Sequence, residues 1–282
     1  MSVRLFTDEI ELQICNLYLS GLSSSGLVKK FGGSECTVIN VLKRHNIERR
    51  SRTKAQKSYL SRHDYFDKID TEDKAYWLGF SSDDANIING QYRLRLAAKD
   101  KVHLEKFNAC LGSKIRIFEY SVKNTKFKSD KQAVGLVFRS KQVVTSLANL
   151  GVGENKSFTL KPCLSMPEKL KKHYLRGLFD GDGCITGHYI RSGKTWQWKA
   201  SFCGSADVVS YFVGSIGVPI KIGKQDNIFI AQYSSIDSIQ TLCKTLYSEA
   251  TIFLDRKRDL AFEIIENLRG RDKNAQVNTK SN

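Results

Sequence analysis

One segment of the sequence occurs twice, and this duplication constrains the fold more than any other feature. Residues 75–87 read AYWLGFSSDDANI, and residues 173–185 read HYLRGLFDGDGCI. One offset aligns Asp84 with Asp182, and similarity continues downstream of both segments. The repeat period is far longer than the roughly 20–50 residues of solenoid repeats. The chain is therefore expected to contain two halves with similar folds.

Each half is expected to form a helix, two strands, a helix, two strands and a helix. We place the first repeat at residues 71–164 and the second at residues 165–270, with Ser165 as the candidate cap of the second motif helix. The segments QYRLRLAAK and TWQWKASFC alternate apolar with polar residues, which is typical of antiparallel sheets with one buried face. The predicted fold class is α+β, with two pseudo-symmetric αββαββα halves behind a small all-α domain.

The charge balance indicates a polyanionic partner. The net charge is +16 and the pI is near 9.5. Double-stranded DNA is the first candidate, an anionic membrane the second, and a merely basic protein the remaining alternative. A curved sheet with a polar and basic outer face can lie in a DNA groove. The residues expected to contact DNA from the two sheets and their loops are Arg93, Arg95, Arg116, Arg139, Gln197, Lys199 and Lys221.

Residues 1–48 are expected to form a domain of three short helices. Thr7 and Ser34 are candidate N-caps, and Gly21 supplies a helix stop. The short second helix, glycine turn and polar third helix resemble a helix-turn-helix, whose last helix lies in the major groove of DNA. The outward residues of the third helix are Thr37, Asn40, Lys43 and Arg44. A structural cap without DNA contacts remains the alternative.

A basic linker is expected at residues 49–70. Its cationic residues include Arg49, Arg50 and Arg52, and its apolar content is low. Such a segment can follow a phosphate backbone, although a solvated tether is the alternative. Residues 271–282 are expected to form a flexible tail.

Several classes of protein are disfavoured by composition. The seven cysteines form no CxxC pair, and the five histidines are scattered, which argues against a zinc site and a secreted disulfide framework. No apolar run approaches the ~18 residues of a membrane span, and the start of the sequence lacks the apolar core of a signal peptide. A cytoplasmic or nucleoid protein of a bacterial, phage or organellar host is expected.

The duplicated motif carries carboxylates that need a counter-charge. Gly177 and Gly181 share one helix face, and Gly79 lies on the equivalent face of the first copy. Two such helices can pack closely as the interface between the halves, which would bring Asp84 and Asp182 together at their C-terminal ends. Two carboxylates beside two negative helix ends form an oxygen-rich pocket that suits Mg²⁺. A pair of ordinary helix C-caps is the alternative.

The sequence LRGLFDGDG closely resembles the nine-residue motif of the LAGLIDADG homing endonucleases, and WLGFSSDDA resembles it more loosely. The likeness covers roughly residues 70–270, and two copies in one chain resemble the monomeric form of this family. The resemblance implies a meganuclease that lays one half on each half of a long asymmetric DNA site. It implies cutting of both strands across the minor groove with Mg²⁺, for which Mn²⁺ is expected to substitute, and a role in intron mobility.

The resemblance also implies roles for single residues. The eighth motif residues, Asp84 and Asp182, would be catalytic metal ligands, and the seventh residues, Asp83 and Gly181, would lend backbone carbonyls to the metal. A lysine late in each repeat would assist near the water or the scissile phosphate. These lysines are placed at Lys156 and Lys257.

The first motif departs from the family pattern. Asp83 stands where a small residue usually packs at the interface, and Ala85 replaces the final glycine. Ser81 and Ser82 replace bulkier apolar residues. We therefore expect unequal sites, with one strand cut more slowly. In the second motif, Asp180 is expected to be a helix-end or interface residue.

Two other functions stay open for a chain of this kind. One is a DNA-binding regulator that kept the fold and lost cleavage, although retention of both Asp84 and Asp182 argues against it. The other is a maturase of the same fold that binds its intron RNA.

Overall fold

The structure is a computed structural model that describes residues 5–49, 60–123, 130–153, 160–190 and 195–266. The chain divides into two compact units, Met1–Ser61 and Arg62–Asn282. The predicted tail at residues 271–282 lies outside the described residues.

The first unit contains the three predicted helices, α1 (Asp8–Leu19), α2 (Ser24–Phe31) and α3 (Glu35–Arg44). A hydroxyl side chain precedes each helix and accepts a hydrogen bond from the backbone N–H three residues further on, which satisfies one of the free N–H groups of the first turn. These caps are Thr7, Ser23 and Ser34. The fully buried core residues are Ile14, Leu27, Val38, Val41 and Leu42.

The second unit contains both predicted repeats. The first repeat consists of α4 (Glu72–Asp84), β1 (Ala85–Ile88), β2 (Gln91–Ala97), α5 (Lys101–Cys110), β3 (Phe118–Lys123), β4 (Asp130–Arg139) and α6 (Lys141–Asn149). The second repeat consists of α7 (Lys171–Asp182), β5 (Gly183–Ile190), β6 (Thr195–Gly204), α8 (Ala206–Ile216), β7 (Ile222–Gln225), β8 (Ile228–Tyr233) and α9 (Ile236–Tyr247). The second repeat also contains a further helix, α10 (Asp255–Ile265), after α9. The αββαββα order is confirmed.

The two sheets share one topology. Their strand orders are β1-β2-β4-β3 and β5-β6-β8-β7, and every neighbouring pair is antiparallel. The β1–β2 connection turns at Asn89 and Gly90, both with φ in the left-handed region, which suits a tight hairpin. Two sheets with the same order of strands confirm the pseudo-symmetry that the duplication predicts.

Each sheet has one buried and one open face, as the alternation predicts. In β2, Tyr92 and Leu94 are fully buried, whereas Arg95 is exposed. In β6, Phe202 is buried and Lys199 is exposed. The core therefore lies between the sheets and their helices, and the basic side chains lie on the open faces.

The second motif helix starts later than predicted. Ser165 does not cap it; Glu168–Leu170 form a 3₁₀ turn directly after Pro167, and α7 begins at Lys171. The backbone of Pro167 is extended, with ψ at 137°, and proline has no N–H to continue a helical ladder. The helix therefore begins only after this residue.

Residues 62–70, which the sequence assigns to the linker, pack within the second unit. Tyr65 and Phe66 are buried, and the Tyr65 hydroxyl donates to Asp73 at 2.6 Å. Asp67 accepts a hydrogen bond from the Gln142 side-chain amide at 2.6 Å. This segment is therefore held by the first repeat, because two aromatic rings supply enough apolar area to order it.

Candidate functional site

The two motif helices, α4 and α7, are in backbone contact at their glycines. A Cβ atom added at Gly79 would lie 2.2 Å from the Tyr174 carbonyl oxygen, and one added at Gly177 would lie 2.1 Å from the Tyr76 carbonyl oxygen. Any side chain at either position would overlap the partner backbone. Gly79 and Gly177 therefore lie at the contact between the two repeats.

The same packing brings the C-terminal ends of the two helices together. A Cβ atom added at Gly181 would lie 2.9 Å from the Cβ of Asp83. Asp84 and Asp182 are the next residues, and each is the last residue of its helix. Asp84 is half-buried and Asp182 is exposed. The predicted carboxylates therefore belong to adjoining helix ends, and glycine at position 181 leaves room for the unusual Asp83.

Lys257 is buried against the end of α7. Its Nζ donates to the carbonyl oxygens of Phe179 at 2.7 Å, Asp180 at 2.8 Å and Gly181 at 3.4 Å. These carbonyls belong to the last turn of the helix, where C=O groups lack partners and a cation is favoured. Burial lowers the pKa of Lys257, while the carboxylates of Asp180 and Asp84 oppose this shift. Lys257 therefore contacts the helix end that carries Asp182.

Asp180 joins the motif helix to three other segments. It accepts hydrogen bonds from the hydroxyl of Tyr76 in α4 at 2.8 Å, the hydroxyl of Tyr247 in α9 at 2.6 Å and the backbone N–H of Leu254 at 2.7 Å. Burial raises the pKa of Asp180, and the nearby Lys257 ammonium and these hydrogen bonds counteract the rise. Asp180 is therefore a buried interface residue, as expected, with a larger set of partners than the sequence indicated.

The first motif lacks this arrangement. Ser82 stands at the position equivalent to Asp180; its neutral hydroxyl donates to the Leu78 carbonyl at 2.8 Å and also interacts with the Tyr174 hydroxyl of α7. Lys156, the lysine predicted for the first repeat, lies outside the described residues. In the described part of the chain, the ends of α4 and α7 are therefore held by different hydrogen bonds.

Arg176, which is not among the predicted site residues, links the two repeats at the second motif position. Its buried guanidinium donates to the carbonyls of Ile252 at 2.8 Å and Leu246 at 3.0 Å. It also donates to the Glu72 carboxylate at 2.6 Å. A charged residue between Leu175 and Gly177, inside an interface motif, was the available signal.

The predicted DNA-binding residues of the sheets lie on open faces. Arg93 and Arg95 are two residues apart in β2, and Arg139 of β4 pairs with Gln91, two residues before Arg93. The three arginines therefore share the outer face of the first sheet. Gln197 and Lys199 share the outer face of the second sheet, and Lys199 lines an open groove of about 1190 Å³ with Lys221. Arg116 is exposed, with its guanidinium 5.2 Å from the Phe118 ring centre.

The predicted recognition residues of the first unit have different surroundings. Asn40, Lys43 and Arg49 are exposed and Thr37 is half-buried, whereas Arg50 and Arg52 lie outside the described residues. Arg44 differs from the expectation of a fully outward side chain, because its Nε and Nη2 both donate to the buried carboxylate of Glu11. The ion pair with Glu11 therefore orients the Arg44 guanidinium toward α1.

Among the residues that the structure describes, no group of three or more His, Cys, Asp or Glu side chains could hold a metal ion. Within the same residues, no helix has the length and apolar character needed to cross a membrane.

Comparisons with known proteins gave matches among solved structures. No family model and no curated protein matched the chain. The LAGLIDADG homing endonuclease I-SmaMI bound to cleaved DNA matches with a TM-score of 0.50 and 13% identity, covering 73% of this chain and 92% of that one. The LAGLIDADG homing endonuclease I-GzeII in complex with its DNA target has a TM-score of 0.46 and 12% identity, covering 74% of this chain and 98% of that one. The chain has the fold of the LAGLIDADG homing endonucleases.

Proposed function

We propose that the chain is a site-specific DNA endonuclease that makes a metal-dependent double-strand break in a long asymmetric target. The observation that supports this most strongly is the backbone contact of α4 and α7, whose adjoining ends carry Asp84 and Asp182. Two similar halves with open basic sheet faces suit two unequal halves of a DNA site. A single chain with both motifs acts on DNA as a monomer.

The proposed cofactor is Mg²⁺, with Mn²⁺ able to replace it. The donors at the helix ends are oxygen atoms: the carboxylates of Asp84 and Asp182 and the backbone carbonyls of Asp83 and Gly181. Mg²⁺ prefers oxygen, keeps several waters and commonly binds one or two carboxylates together with substrate phosphates, so these residues fit it. When bound, such a cation lowers the pKa of a coordinated water and stabilises charge on a phosphate.

The chain's own residues hold this site in place. Lys257 has three N–H donors, and three carbonyls of the last turn of α7 accept them. Asp180 links the same turn to α4 and α9. We propose that Lys257 holds the end of α7 beside Asp182, and that Asp180 positions the same helix end.

The two sites are proposed to cut their strands at unequal rates. Asp180 and Gly181 in the second motif correspond to Ser82 and Asp83 in the first. Asp83 adds a carboxylate at the junction, and Ser82 offers a neutral hydroxyl where the second motif has the buried carboxylate of Asp180. Because different hydrogen bonds hold the two helix ends, Asp84 and Asp182 should differ in how rigidly they are positioned.

A cleavage assay with a conservative variant tests this function. A duplex recovered by the wild-type protein from a randomised library should be cut on both strands with Mg²⁺ and left intact with EDTA. Asp182→Asn removes the charge and keeps the shape, so binding should persist while cutting of at least one strand falls by about 100-fold or more.

The outcomes separate the alternatives. Binding without cleavage across exhaustive target libraries would favour a regulator that lost its activity. Tight binding of intron RNA by a protein that leaves DNA intact would favour a maturase. Unchanged cutting of both strands by Asp182→Asn would remove this aspartate from the catalytic assignment.

A further inference from the structure

A cavity of about 470 Å³ adjoins Asp84 and takes its walls from both repeats. The first repeat contributes Asp84 and Arg95, and the second contributes Gly181 and Arg256. Arg256 is at the start of α10, directly before Lys257. The second repeat therefore supplies a cation to the site of the first.

Arg256 is held in this position by a buried acid. Its Nε donates to both carboxylate oxygens of Asp100, at 3.1 and 3.2 Å. Asp100 is 8% exposed, whereas the Arg256 side chain is 44% exposed. Among the described residues, neither terminal Nη atom of Arg256 makes a hydrogen bond. The acid thus orients the guanidinium and leaves its terminal N–H groups for another acceptor.

The start of α10 is anchored to the first repeat at a second point. Asp255, the residue before Arg256, pairs with Lys106 at 2.6 Å, and the same ammonium donates to the Phe253 carbonyl at 3.2 Å. Two consecutive residues of the second repeat are therefore tied to α5 and the turn before it. This double attachment keeps Arg256 beside the cavity.

Arg95 reaches the same cavity from the outer face of the first sheet. Its guanidinium lies 5.8 Å from the ring centre of Tyr120, which also lines the cavity. The carboxylates of Asp84, Asp100 and Asp180 also line the cavity. Asp100 is paired with Arg256, and Asp180 accepts hydrogen bonds from Tyr76, Tyr247 and Leu254. The guanidiniums of Arg95 and Arg256 therefore offer hydrogen-bond donors to an anion in the cavity. Their planar N–H groups match the oxygen atoms of a phosphate, which can accept two parallel hydrogen bonds from one arginine.

We propose that Arg256, together with Arg95, binds a DNA backbone phosphate in this cavity, so that the second repeat completes the Asp84 site. This inference rests on the proposed function, because it concerns the DNA that the endonuclease would hold. It adds a cross-repeat phosphate contact to the carboxylates at the helix ends.

The arrangement differs at the other helix end. Asp100 immediately precedes α5, and Ser205 immediately precedes α8, the equivalent helix of the second repeat. The Ser205 hydroxyl donates to the Leu160 carbonyl at 2.6 Å. A serine there offers no carboxylate to orient an arginine, so the effect of Arg256 is specific to the Asp84 side.

The test uses Arg256→Ala with Arg258→Ala as the matched control. Arg258 is on the same helix, pairs with Asp259 and lies against the rings of Phe253 and Phe262. The probe is a duplex recovered by the wild-type protein from a randomised library. Its affinity is measured over a range of salt concentrations with EDTA present, so that the binding readout does not depend on a metal.

Arg256→Ala should lower the slope of log K against log [salt] by about 0.9, the change expected for one phosphate contact. Arg258→Ala should keep the wild-type slope. In a strand-resolved cleavage assay with Mg²⁺, Arg256→Ala should slow one strand about 10- to 100-fold more than the other, because a hydrogen bond to a charged group is removed at one site only. Arg256→Lys should restore the salt slope, since the charge returns.

A wild-type slope for Arg256→Ala, or equal slowing of both strands, overturns the inference. The second result would mean that the residue only supports the fold. Failure of the proposed function is distinguishable, because the wild-type protein itself would then bind the duplex and cut neither strand. In that case the salt slope still decides whether Arg256 contacts a phosphate.

Discussion

Replacing Gly177 by alanine should force the two motif helices apart. The new Cβ would lie 2.1 Å from the Tyr76 carbonyl oxygen and 2.7 Å from the Phe80 nitrogen. Ordinary contact begins near 3.4 Å, so the shortfall at the carbonyl is about 1.3 Å. Both neighbours are backbone atoms, which cannot rotate away as a side chain can.

The expected magnitude follows from two opposing terms. Alanine is favoured over glycine inside a helix by about 1 kcal/mol. Overpacking costs typically about 1–3 kcal/mol, and a backbone clash lies at the upper end of that range. We expect Gly177→Ala to lower the free energy of unfolding by about 2 kcal/mol.

Gly214→Ala is the matched control for this substitution. Gly214 lies in α8, and an added Cβ there would meet nothing within 4 Å. The control should therefore raise the free energy of unfolding by about 0.5–1 kcal/mol. The same chemical change thus has opposite signs at the two positions.

Denaturant unfolding of the full chain measures both effects, and strand-resolved cleavage of the library-selected duplex measures the consequence for the site. A shift of about 1 Å at the helix ends should reduce cutting by about 100-fold. If Gly177→Ala is as stable as Gly214→Ala, the backbone contact of α4 and α7 is refuted as the interface between the repeats.

Two further predictions concern other parts of the chain. Burial lowers the pKa of His103 to about 3, below the ~6.5 of an unfolded histidine, so acid favours the unfolded state. The free energy of unfolding should therefore fall, by up to about 1.4 kcal/mol per pH unit, as the pH drops from about 6.5 toward 3. His103→Gln should flatten this dependence in pH-resolved denaturant titrations, and an unchanged dependence would contradict the burial argument. Deleting residues 1–61 should weaken binding of the selected duplex and reduce its salt slope by about 0.9 for each DNA phosphate that the first unit neutralises; equal affinity and slope would make the first unit a structural cap.

Much of the fold could be predicted because its signals are local. The hydroxyl caps at Thr7 and Ser34, the alternation in β2 and β6, and the duplicated motif each depend on neighbouring residues. The predicted start of α7 was wrong because Ser165 and Pro167 together match the usual pattern of a helix start. The extended backbone of Pro167 delays the start of the helix to Lys171, and this backbone conformation cannot be read from the sequence.

The candidate site was predicted only in part because the hydrogen bonds that hold it join residues that are far apart in the sequence. Asp180 and Lys257 meet across a large sequence separation, and the partners of Asp180 come from α4, α9 and the segment before α10. Arg256 stands in a run of charges, DRKRD, where no local feature distinguishes it from Arg258. Its role depends on Asp100, which the fold brings close.

A crystal structure of the wild-type protein with its selected duplex and Mn²⁺ would show whether a metal ion binds between the ends of the two motif helices. We predict an anomalous scattering peak at the adjoining ends of α4 and α7, within coordination distance of the Asp84 and Asp182 carboxylates and a DNA phosphate. A fully occupied duplex with no metal at these helix ends, or with metal bound elsewhere, would contradict this prediction.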